Sequence, residues 1–231
     1  MRRRIRAASA RPASSQRRRV EISVSGLIEW LRLGGPAMLL LVLLSITALT
    51  LVIIKLWEFS ERRIGERGFV ATAFAAWDRG QADQAIAAMS GTPSPLAAVL
   101  SQAMQTLRDA ALTDAQARER IERSAIEQLD SARGHLRTLD LIGNLAPLLG
   151  LLGTVLGMID AFQALQAAGD RVEPSILSGG IWKALLTTAV GLGIAISAVA
   201  AVGYFDRRIE LLQQAMESAL TRLLTTPRRP G

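Results

Sequence analysis

The sequence predicts an all-α membrane protein with three spanning helices, on the clustering and the length of its apolar blocks. Half of the 231 residues are hydrophobic, and they are gathered into blocks instead of being spread at amphipathic spacing. The block "PAMLLLVLLSITALTLVIIKLW", Pro36 to Trp57, carries no charge before Lys55. That is close to the run of about 20 apolar residues needed to cross a hydrocarbon core of about 30 Å. Two further blocks are "LIGNLAPLLGLLGTVLGMIDAFQAL", Leu141 to Leu165, and "GGIWKALLTTAVGLGIAISAVAAVGYF", Gly179 to Phe205. Lipid offers backbone amides no partner, so each span must be helical.

Residues 1–35 divide into an Arg-rich tail and a short interfacial helix. The tail has the composition of a segment that cannot bury enough surface to order itself, and disorder is expected. "GLIEWLRLGG" then offers Leu27, Ile28, Trp30, Leu31 and Leu33 to an interface. Residues 36–56 are the first span. The apolar run begins only after residue 35 and is too long for a signal h-region, so a retained anchor is expected.

Residues 57–138 form a polar, helical domain. In its alanine-rich first part Phe74, Trp77, Ala85, Ile86 and Met89 allow amphipathic packing, and Gly91, Pro93 and Pro95 break it. Thr113 followed by Gln116 fits a capping box. Ile121, Ala125, Leu129 and Leu136 then make a narrow stripe on a helix free to continue unbroken into the second span. The second span is 139–165, a short loop 166–177, the third span 178–205, and a helix with a tail 206–231.

Charge fixes the expected orientation. With three spans, the N-terminal tail and the 166–177 loop share one side, and the helical domain and C-terminus share the other. Ten basic residues lie near the spans on the second side, Lys55, Arg62 and Arg207 among them, against five on the first. The positive-inside rule then places the helical domain and the C-terminus in the cytoplasm and the N-terminus on the opposite side, although the Arg-rich tail pulls the other way.

The net charge of +7 resides wholly in residues 1–35, where nine arginines face Glu21 and Glu29. A basic tail beside a span meets anionic membrane lipid, and no basic face or aromatic platform elsewhere suits nucleic acid. The absence of cysteine excludes disulfides, thiol chemistry and zinc knuckles. One histidine, His135, and no tight acidic cluster leave no metal centre to expect. No nucleophile–base pair or phosphate loop is present, so neither an enzyme nor a cofactor is expected.

Inside the membrane, small residues dominate two helix faces. Gly150, Gly153, Thr154 and Gly157 recur at steps of three and four, so one face of the second span is stripped of bulk for two turns. Pro147, one turn earlier, is expected to kink that helix. The third span repeats the pattern with Ala184, Thr187, Thr188, Gly191 and Ala195. Such faces exist for close approach, between the two spans or between copies. Lys183 has two readings. The 22 uncharged residues from Ala184 to Phe205 can cross the core unaided, leaving Lys183 to snorkel at the boundary. Placed deeper, it costs about 2.5–3.5 kcal/mol and wants an acidic or carbonyl partner.

"NLAPLLGLLGTVLGMIDAF" followed by "GGIWKALLTTAVGLGIAIS" resembles the paired signatures of the ExbB/TolQ/MotA family of ion-driven motor subunits, nearest the ExbB and TolQ branches. The likeness is specific over residues 118–208 and elsewhere extends only to the number and order of spans. It implies a homopentameric ring of three-span subunits in the bacterial inner membrane, with long helices extending into the cytoplasm. It implies too that the second and third spans line a pore around an ExbD- or TolR-like single-span partner, with a TonB- or TolA-like protein beyond it. Proton flow would then drive outer-membrane transport or envelope maintenance. Thr154 and Thr188 match the family's pore-lining threonines, and Pro147, Gly150 and Gly157 its packing residues. Lys183 departs from the usual glutamate of "G-I-x-E-A-L", and Ser197 stands where a proline is usual. An acid has thus become a base at the family's ionisable pore position, which leaves two expectations open. Lys183 meets a carboxylate of the partner helix, giving an ion pathway of Thr154, Thr188 and Lys183, or the chain is a non-conducting scaffold of the same shape.

Overall fold

The computed structural model of the chain describes residues 24–167 and 174–225, with side chains from residue 35 onward except Ile176. Among the described residues there are seven helices and no strand. The expected disordered tail, residues 168–173 of the expected 166–177 loop and the last six residues lie outside them, and the rest of that loop is helical, in the ends of the second and third spans' helices.

Helix α1, Val24–Glu61, is two helices joined at Gly35, whose φ of 62° and ψ of −159° leave helical space. Glycine adopts that conformation without a Cβ penalty, and Pro36 restarts the helix with its φ already set. The second part supplies the first span, Gly35–Glu61. Its outer face is Leu39, Leu43, Ile46, Leu49 and Ile53, all exposed, a surface suited to acyl chains and not to water.

The polar region folds as four helices. These are α2 (Gly68–Asp78), α3 (Ala82–Ala87), α4 (Pro95–Arg108) and α5 (Asp114–Arg133). Gly80, at φ 80°, separates the first two, and α4 starts with Pro95 in its first turn. At α5 the Thr113 side chain accepts from the Gln116 amide while the Gln116 side chain accepts from the Thr113 amide, a complete capping box.

Helix α6, Leu136–Ala167, contains the second span and α7, Pro174–Thr225, the third. The 52 residues of α7 reach about 78 Å, far more than a bilayer core needs. Its C-terminal half therefore projects beyond the membrane and organises the helical domain. Phe205, Ile209, Leu212, Met216, Ala219 and Leu223 recur at alternating steps of four and three and are all buried, against Phe74, Leu100, Met104 and Ile121. Because α2, α4 and α5 pack on this half of α7, with α3 held between α2 and α4, the domain and the C-terminal helix occupy the same end of the three spans.

The stripe helix does not run unbroken into the second span. Gly134 and His135 divide α5 from α6, and His135 sits at φ 66°. The break coincides with a buried cation. Lys55, at the end of the first span and only 1 % exposed, donates to Glu58 Oε2 at 2.8 Å and to the Ala132 carbonyl at 2.9 Å. Carbonyls in the last turn of a helix lack intrahelical partners and carry the negative end of the helix dipole, so an ammonium is the natural cap for α5. Phe59 packs edge-on against Phe205 beside it, with centroids 5.0 Å apart. This junction ties α1, α5 and α7 together.

Two substitutions probe these supports. Lys55→Met keeps most of the volume but leaves the Ala132 carbonyl without its donor and Glu58 with Arg62 alone, and should cost about 1–3 kcal/mol in denaturant unfolding followed by circular dichroism in detergent. Thr113→Ala should cost about 1 kcal/mol in the same measurement.

Candidate functional site

Helices α6 and α7 run antiparallel, and glycine sets how closely they meet. A Cβ built on Gly150 would lie 3.0 Å from Thr188 Cα and 3.1 Å from the Thr187 carbonyl oxygen. On Gly191 it would lie 2.5 Å from the Ala146 carbonyl oxygen, and on Gly157 3.0 Å from Ala184 Cβ. Gly153 faces the Thr187 side chain and Ala37 of α1, and Gly180 faces Ala161. Backbone therefore lies against backbone along the seam, the arrangement that small residues permit in a bilayer.

Close approach exposes carbonyl oxygen to side-chain hydroxyls of the neighbouring helix. Thr188 Oγ1 donates to the Gly150 carbonyl at 2.9 Å. Thr187, only 1 % exposed, donates to Ala184 at 2.7 Å within its own helix and lies 3.4 Å from the same Gly150 oxygen. Thr154, one turn beyond Gly150, donates to Leu151 at 2.6 Å. With each proton placed on a carbonyl, the hydroxyl oxygens of Thr154 and Thr188 retain acceptor capacity for a water or a protonated group. Both side chains are half-buried.

Lys183 belongs to a different part of the seam. It lines a cleft of about 630 Å³ with Gly35 and Pro36 of α1, Gly157, Asp160 and Ala161 of α6, and Trp182 and Thr187 of α7. Neither Thr154 nor Thr188 lines that cleft. The structure thus joins Thr188 to Gly150 and Thr187 to Gly153, and sets Lys183 apart, in a cleft that Asp160 also lines. Asp160 was overlooked in the sequence, although it is the only charge between Leu141 and Leu165. Pro147 is half-buried in an uninterrupted α6, where its missing N–H leaves the Gly143 carbonyl without a helical donor. Ser197 turns its hydroxyl to the Gly193 carbonyl at 2.9 Å, and α7 is likewise continuous there.

The family model described as "MotA/TolQ/ExbB proton channel family" matches residues 92–218, which takes in α4–α6 and nearly all of α7. The chain belongs to the MotA/TolQ/ExbB proton channel family. The biopolymer transport protein exbB1 of Vibrio cholerae is 49% identical over 74 residues, an alignment that spans 32% of each chain. The biopolymer transport protein ExbB of Neisseria meningitidis serogroup B is 27% identical over 200 residues, 80% of this chain and 89% of the relative. The Tol-Pal system protein TolQ of Haemophilus influenzae is 33% identical over 87 residues, 38% of each chain. The family match covers both helices of the seam and the α7 stripe that carries the helical domain, and leaves out the first span.

As an MotA/TolQ/ExbB protein, the chain should tolerate a methyl group only where the seam leaves room. Gly191→Ala would push on the Ala146 carbonyl and should cost about 1–3 kcal/mol. Gly193→Ala, with nothing within 4 Å of the new methyl, should be neutral or slightly stabilising. Thermal midpoints of the two purified variants in detergent make the comparison.

Proposed function

We propose that this chain is the ring subunit of a proton-motive-force-driven motor in the bacterial inner membrane, working with an ExbD/TolR-like single-span partner. The observation that carries the reading is the Gly150 carbonyl, approached by the hydroxyls of Thr187 and Thr188 in a seam without side-chain bulk. A row of hydroxyls and carbonyls between spans is the chemistry with which a proton or an ordered water can be passed through an apolar layer. Family membership and the two named relatives in biopolymer transport, with TolQ, support energised transport or envelope maintenance as the task. The activity is transport and not enzymatic bond chemistry.

In this reading five copies close a ring, α6 and α7 face the centre, and the exposed face of α1 meets lipid. The helical domain and the end of α7 lie in the cytoplasm and the N-terminus in the periplasm. Thr154 and Thr188 carry the path, and Lys183 supplies a charge contact for the partner helix, beyond which a TonB- or TolA-like protein receives the work. Lys183 favours one other reading, since a ring of ammonium groups repels cations and suits a non-conducting scaffold.

Reconstitution with the partner in proteoliposomes tests both. Thr154→Val and Thr188→Val should each lower proton flux by about a hundredfold, the scale of a lost proton-transfer group, while the serine variants retain it. Flux unaffected by valine would remove the threonines from the path. No flux from the unaltered complex would favour the scaffold. Equal flux with Lys, Glu and Ala at position 183 would deny that position any part in proton chemistry.

A further inference from the structure

We propose that Asp160 and Lys183 form a charge pair across the α6–α7 contact, so that the counter-charge for the third span's ammonium is held within this chain. The inference rests on the reading above in taking both helices as membrane-embedded and facing a ring's centre, and it puts a carboxylate of this chain where that reading put the partner helix's.

Composition makes the pair unusual. Asp160 is the only charged residue from Leu141 to Leu165, and Lys183 the only one from Gly179 to Phe205. One acid and one base, each alone in its span, line the same cleft. Ionisable groups inside a bilayer turn towards protein or a watery cavity and pair with one another.

Helix register brings them to one contact. Gly157 abuts Ala184 and Gly180 abuts Ala161, so these four small residues fix the crossing. Asp160 lies between Gly157 and Ala161, and Lys183 holds the equivalent place between Gly180 and Ala184. On a helix, residues three and four apart share a face, so each charge flanks these two glycine–alanine contacts. Gly179, Gly180 and Ala161 also line the cleft and add little bulk between them. Among the described residues neither group lies within ion-pair distance of any opposite charge and both are exposed, so the pair forms when the two side chains turn towards each other across the cleft. The lysine's flexible four-carbon stem allows its ammonium to reach a carboxylate on the adjacent helix.

The pairing changes what a ring of these subunits presents at its centre. An unpaired lysine contributes one positive charge per copy at a single level and opposes cation entry. With Asp160 beside it, that level is neutral, and the carboxylate that the third span lacks is supplied by the second. Removing one member alone leaves the other as a lone charge in a low-dielectric cleft, whereas removing both does not.

The test uses the purified full chain in lipid nanodiscs without any partner, comparing Asp160→Asn, Lys183→Met, the double neutral variant and the exchange Asp160→Lys/Lys183→Asp. Thermal midpoints should fall in both single variants, fall less than their sum in the double, and recover at least half of the larger loss in the exchange. Should a single variant fail to accumulate, recovery of yield by the exchange is the equivalent result. Additive single effects with no recovery on exchange would overturn the pair, as would coupling of Lys183 to Glu173 in its place, read from Glu173→Gln in the same cycle. Proton flux is measured separately with the partner, so a silent unaltered complex counts against conduction alone and additive midpoints count against the pair alone.

Discussion

Gly150, Gly157, Gly180 and Gly191 let α6 and α7 approach until backbone lies on backbone, and the arrangement within the membrane depends on that approach. In lipid there is no hydrophobic gain from bringing two apolar helices together, since acyl chains are as apolar as leucine. What holds them is dense packing and the hydrogen bonds that packing permits. A side chain at Gly150 would meet Thr188 Cα and the Thr187 carbonyl, moving the helix that carries the Thr188 donor away from its acceptor. The same separation would open the crossing of Gly157 on Ala184 and part the two walls that carry Asp160 and Lys183.

The seam is coupled to the helical domain without a hinge in α7, which is continuous from Pro174 to Thr225. Its membrane half presents small residues to α6, and its outer half presents a heptad-like stripe of large apolar residues to α2, α4 and α5. The chain thus changes the helix's partner by changing residue size along one element. Lys55 fastens the arrangement where the first span ends, joining α1 to the end of α5 at the level where Phe59 meets Phe205. The membrane half of α7 and the half in the domain core thus belong to one unbroken helix.

The three spans were legible in the sequence because their signal is length and apolarity, which tertiary contacts do not alter. So was the capping box at Thr113, a local device that depends on residues within one turn. The break at Gly134 and His135 was not read, although Gly134 is a local stop signal; what the sequence could not show is that the Lys55 ammonium, 77 residues away, caps the Ala132 carbonyl there. Lys55 itself read as a boundary charge, and only the arrival of α5 turns it into a buried one. The stripe from Phe205 to Leu223 was not read from the sequence, where residues 206–231 stood only as a helix with a tail, because its meaning requires knowing that α7 outruns the bilayer. At the seam, the spacing of Gly150, Gly153 and Gly157 marked a small-residue face, while the register that sets Gly150 under Thr188 and brings Asp160 and Lys183 to one cleft arises only when two distant segments meet.

The central claim is that the threonine-bearing flank of the α6–α7 seam faces a watery path while α1 faces lipid. The chain contains no cysteine, so single cysteines report without interference. The decisive measurement is the rate at which a charged, water-soluble thiol reagent modifies Thr154→Cys, Thr188→Cys and Leu49→Cys in the complex assembled in membranes. The account predicts modification at positions 154 and 188 and protection at Leu49, which is 62 % exposed on the outer face of α1. Protection of both threonine positions, or modification at 49 as fast as at 188, would contradict it.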